Sequence, residues 1–237
     1  MMLDELGSLL QAVPGVASRR DYSEAVMEDN CLAKRTVSTR ALTLQRLTEL
    51  YALDPKVLLF RMLRDLWAVH ANSRPLLALI VALARDPLLR ATARSVVATP
   101  VGHEFARQPM RDDLEDAVGD RLNGATLDKV IRNASSSWSQ SGHLRGRGRK
   151  VRQRVVVTPA ATTLALVLGF ATSRRGRSLF DTPWAAVLDA GVDELIDLAV
   201  EAKRLGLLDL KQSASIVEVT FPMLFTDRER GLISGTH

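Results

Sequence analysis

Between Arg154 and Arg174 the chain runs through residues 155–173, 19 positions, without one charged side chain. A run of that length either crosses a bilayer, which takes about 20 apolar residues, or is buried within a protein. Pro159, the threonines at 158, 162, 163 and 172, and Gly169 interrupt it. The other apolar run, residues 76–84, is only nine long between Arg74 and Arg85. The first therefore reads as a strand over residues 151–157 and a buried helix from Pro159 to Thr172, and a membrane location is not expected.

What packs against such a helix follows from composition. The 237 residues are 46% hydrophobic, 25% charged and only 5% aromatic, so Leu, Val and Ala must fill the core. That favours helices over a β-sandwich. The length suits two compact parts. Cys31 is the only cysteine, which excludes an internal disulfide and a thiolate metal cluster and fits a reducing, cytoplasmic setting. Asp4 and Glu5 near the start replace the basic region of a secretory signal.

Charge is unevenly placed. Residues 129–180 hold eleven of the 32 Lys and Arg residues and no acid, leaving 21 cations against 27 acids elsewhere. Segregation of this kind is the electrostatic footprint of a polyanion binder. The densest stretch, residues 145–154, carries Arg145, Arg147, Arg149, Lys150, Arg152 and Arg154, with Gly146 and Gly148 keeping its first half extended. Alternating Arg and Gly suits guanidinium contacts along phosphates or within a narrow minor groove. A second cluster, Arg174, Arg175 and Arg177, follows the uncharged run, and folding is expected to bring the two together. The bland alternative for both is a solvated, solubilising loop.

Punctuation by capping residues divides the rest. A helix over residues 3–13 ends at Pro14-Gly15, and a second starts near Tyr22 with Asp21 as its cap. A third begins around residues 36–38 and runs to Leu53, with Val37, Ala41, Leu44, Leu47 and Tyr51 on its inner face and Arg40 and Arg46 outside. Asp54-Pro55 and Asp86-Pro87 each read as cap and first helical residue, giving helices over residues 56–70, 75–84 and 87–98 with Trp67 buried and its indole hydrogen-bonded. After a break over residues 99–109 come an acidic helix to Leu122, with Asp112, Asp113, Glu115, Asp116 and Asp120, and another over residues 126–139. Asp181-Thr182-Pro183 opens a short helix, residues 192–205 form an amphipathic one ending at Gly206, and residues 207–210 and 216–221 form a hairpin. The expected fold is mainly α: an N-terminal helical domain, residues 1–104, then a basic winged-helix-like α+β domain, residues 105–237.

Within the first part, residues 22–53 have the helix, connection and basic second helix of a helix-turn-helix, with Lys34, Arg35 and Arg40 near the second helix's start; two ordinary packed helices would read the same. Trp138, among Ser135, Ser136, Ser137 and Ser139, would stack on a base if exposed and close a core if buried. His70, His103, His143 and His237 lack the spacing of a metal or catalytic site, and no phosphate-cradling loop or nucleophile elbow occurs. No cofactor, metal, small-molecule substrate or catalytic activity is expected.

The stretch Glu28-Asp29-Asn30-Cys31-Leu32-Ala33-Lys34-Arg35-Thr36-Val37-Ser38-Thr39-Arg40, followed by Leu-rich helices, resembles the N-terminal region of the BrxA family, small accessory proteins of bacteriophage exclusion (BREX) systems. The resemblance implies an all-helical N-terminal part likened to an RNA-binding antitermination fold, a winged-helix-like C-terminal part, double-stranded DNA binding and membership of a phage-defence cluster. The Arg-Gly loop at residues 145–154 departs from the family, so its role rests on charge alone. The expected function is a non-catalytic DNA-binding accessory, with docking of an acidic partner subunit, such as another BREX component, or RNA binding as alternatives.

Overall fold

Short polar side chains cap six of the twelve α-helices among the described residues. The computed structural model describes residues 1–15, 17–213 and 216–222; His237 and the end of the expected C-terminal domain lie outside them. After α1 (Leu3–Ala12), α2 (Arg19–Met27) opens on a capping box in which Ser18 Oγ accepts from Asp21 N and Asp21 Oδ2 accepts from Ser18 N. Asp21 thus sits in the first turn, and Ser18 is the cap. Thr36 caps α3 (Val37–Tyr51). Asp54-Pro55 corrects its sequence reading: Asp54 Oδ1 closes a turn on Lys56 N, and α4 (Leu58–Val69) begins only afterwards. Asp86 does cap α6 (Pro87–Ala91), which follows α5 (Arg74–Arg85) and precedes α7 (Ala93–Ala98).

Two corrections concern this first part. The connection between α2 and α3, residues 28–36, exceeds the three- or four-residue turn of a helix-turn-helix, so the pair is packed without that geometry. Only the second half of α3 meets the core: Leu47 and Tyr51 are buried, whereas Val37 and Ala41 are exposed. Trp67 is buried as expected, with the Arg74 guanidinium over its ring.

The chain continues through α8 (Arg107–Val118) and α9 (Gly124–Gln140) into a β1–β2 hairpin (Leu144–Arg145, Val151–Arg152). The expected strand over residues 151–157 is thus two residues long. Beyond it, Val155 N donates to the Asp189 carboxylate rather than to a ladder partner.

The uncharged run becomes α10 (Pro159–Ala171), capped by Thr158. It is buried on almost every side, packed against α5, α12 (Val192–Arg204) and α11 (Pro183–Ala186, capped by Thr182 and not by Asp181). Thirteen residues span about 20 Å at 1.5 Å per residue, short of a bilayer. Among the described residues no helix is long and apolar enough to cross a membrane. Gly169 lets Leu179 and Thr182 approach, since a Cβ there would stand 3.2–3.3 Å from their side chains. The antiparallel pair β3 (Asp209–Ser213) and β4 (Ile216–Thr220) closes the fold, with β4 against the 3-10 turn Gly176–Phe180.

Buried residues on either side of position 104 form one continuous cluster. The segment after α7 also crosses over: Gly102 N and Phe105 N donate to Arg152 O (2.9 Å) and Lys150 O (2.7 Å), and Arg152 N donates to His103 O (2.9 Å).

Candidate nucleic-acid interface

That ladder gives the basic loop a rigid base. Residues 102–105 flank β2 on one edge and β1 on the other, so residues 145–150 form a hairpin rather than a loose loop. Gly146 makes the turn possible: its φ is +120°, and a Cβ there would lie 2.1 Å from Arg149 O. Arg145 and Arg147 project from the turn, exposed and with no acidic partner among the described residues. Arg149, 85% exposed, stands 3.7 Å from Glu104. Lys150 Nζ donates to Ser139 Oγ (2.6 Å) and Gly146 O (3.4 Å), and partial burial, then the Arg107 charge, lower its pKa.

Arg152 is a correction. Its side chain is 1% exposed, ion-paired with Asp189, and its Nε donates to Val96 O at 2.9 Å. A guanidinium so enclosed holds the hairpin to the core and is out of reach of a phosphate. Of the two roles open to Trp138 the core one holds: fully buried, it donates from Nε1 to Thr92 Oγ1 at 2.8 Å and meets the His143 ring edge to face, which leaves no surface for a base. His143 is neutral. Val187 O can only accept, so Nε2 carries the proton and Nδ1 accepts from Ser141 Oγ, and burial lowers the pKa to about 4.

The two basic clusters converge on consecutive carboxylates in the first turn of α12. Glu194 takes Arg154 at 2.6 Å and Asp193 takes Arg177 at 2.9 Å. Arg175 lies 3.6 Å over the Phe170 ring and donates to Phe170 O, while Arg174 is exposed beside it. The two clusters therefore approach at Arg154 and Arg177, and the surface is not acid-free: Glu104, Asp193 and Glu194 border it. Charge counted along the chain gave no signal of these partners, 40 or more residues from the cations they meet in the case of Arg149 and Arg154 and 16 for Arg177.

The N-terminal cations are mostly structural. Lys34 pairs with Glu5 (3.0 Å), and Arg40, expected outside, donates from Nη1 to Met27 O (2.6 Å) at the end of α2; of the three, only Arg35 is exposed with no partner among the described residues. In the same segment Asn30 has φ +51° and accepts Lys34 N on its side chain.

Among the described residues no cluster of His, Cys, Asp and Glu could hold a metal. A cleft of about 620 Å³ between α1, α3, α6 and α9 is lined by Arg46 and Arg85 but by none of the cations expected to bind nucleic acid. Comparisons with protein-family models, with curated proteins and with solved structures return no match.

Proposed function

We propose that the chain is a non-catalytic double-stranded DNA-binding protein whose contact surface is the β1–β2 hairpin, extended by the turn carrying Arg174, Arg175 and Arg177. One observation carries the reading: Arg145 and Arg147 are held out, with no acidic partner among the described residues, on a hairpin anchored by Arg152 and by the ladder to residues 102–105. Unpaired guanidinium groups on a rigid support neutralise backbone phosphates with little ordering cost.

The element order α10, α11, α12 and a β-hairpin supports likening the C-terminal part to a winged helix. Its third helix is nonetheless a poor groove reader, because α12 exposes Asp193, Glu194, Asp197 and Glu201. Contact through the β1–β2 hairpin avoids that repulsion. The likeness of residues 28–40 to BrxA proteins adds the proposal that the DNA contact serves a phage-defence complex. A second reading, docking of an acidic partner subunit, draws on the carboxylates that Arg149, Arg154 and Arg177 already meet.

The test is fluorescence anisotropy with a 20-base-pair duplex in about 50 to 200 mM salt. Replacing Arg145, Arg147 and Arg149 together by Gln should weaken binding at least tenfold and flatten the salt dependence by roughly two to three released counterions. An unchanged affinity would remove the hairpin from the interface. Failure of the intact chain to bind duplex, with co-purification of an acidic partner, would favour the second reading.

A further inference from the structure

The hairpin's anchoring ladder brings in a cation from outside the basic stretch. Phe105 N donates to Lys150 O at 2.7 Å, and α8 begins two residues later at Arg107. Arg107 is exposed and near enough to Lys150 for its charge to act on that ammonium. Among the described residues no carboxylate bridges the two: Lys150 Nζ donates to Ser139 Oγ and Gly146 O, and the nearby Glu104 faces Arg149. The first turn of α8 holds no acid, and no side chain caps it. The Phe105–Lys150 hydrogen bond holds these two stretches of backbone side by side, so the like charges of Arg107 and Lys150 arise from neighbouring segments, and an anion seated between them relieves their repulsion.

We propose that Arg107 and Lys150 together form a phosphate seat at the base of the hairpin, taking one phosphodiester of the DNA backbone while Arg145 and Arg147 take others. The proposal rests on the DNA-binding reading above and adds a residue to it. Lys150, whose carbonyl accepts in the ladder, and Arg107, two residues beyond Phe105, fix the register of the hairpin on the DNA backbone. The seat recognises phosphate charge, not base sequence.

Duplex anisotropy across a salt series tests it on the full chain, with Arg107→Gln, Arg107→Glu, Lys150→Gln and the double Arg107→Gln/Lys150→Gln. Arg107→Gln should weaken binding about three- to tenfold and lower the log–log salt slope by about 1. The double variant should lose less than the product of the single losses, since the two residues serve one phosphate. Arg107→Glu places an acid opposite Lys150 and at a helix start, so it should melt no lower than the parent yet bind worse than Arg107→Gln. If Arg107→Gln and Arg107→Glu both keep the parent affinity and slope while loss of the hairpin arginines abolishes binding, the seat is refuted and the hairpin reading stands. If the intact chain binds no duplex, both fall. Product-like losses in the double variant would also refute a shared phosphate.

Discussion

Arg152 and Arg147 show how two residues of one type in one short stretch acquire opposite roles. Arg147 faces water, whereas Arg152 is enclosed with Asp189 and two main-chain segments. Taking the guanidinium away leaves a buried carboxylate without its partner, so Arg152→Met should cost about 3–5 kcal/mol, read as a lowered denaturant midpoint. His143 adds a pH dependence. Its folded pKa of about 4 lies below the usual 6.5, because burial disfavours the charged ring. The stability it contributes is complete above about pH 6.5 and is lost as pH falls toward 4, by about 3 kcal/mol at most. Denaturation midpoints from pH 8 to pH 4 should show this slope, and His143→Gln should remove its share of it.

At the scale of elements, the hairpin and α12 work against each other. The first turn of α12 supplies Asp193 and Glu194, which hold Arg177 and Arg154 and place negative charge at the edge of the proposed interface. Exposed pairs of this kind contribute little to stability, with a median of about 0–1 kcal/mol. Asp193→Asn with Glu194→Gln should therefore leave the melting temperature nearly unchanged and raise duplex affinity severalfold at about 50 mM salt. An unaltered affinity would show that Arg154 and Arg177 do not reach DNA. Capping was legible at Asp86, which stands directly before its helix, but at α2 the cap is Ser18 and not Asp21. It misled at Asp54, whose carboxylate closes a turn instead.

Across the whole molecule, α10 lies against α5, and residues 102–105 are stitched to β2. Two pieces cut at 104/105 would each expose a face of α5 or α10 that the other now covers. The intact chain should unfold in one transition by circular dichroism and by tryptophan fluorescence, and the separate pieces should show no cooperative melt. Two resolved transitions would contradict this. Helical class, most helix positions and the terminal hairpin were legible in the sequence, because periodicity and capping act over a few residues. So was the concentration of cations, a property of composition. Which cations meet a carboxylate was decided only by tertiary structure, as Asp189, Glu194, Asp193 and Glu5 reach Arg152, Arg154, Arg177 and Lys34 from other parts of the chain. Electrostatic pairing depends on separation in space, and only the folded chain sets that separation.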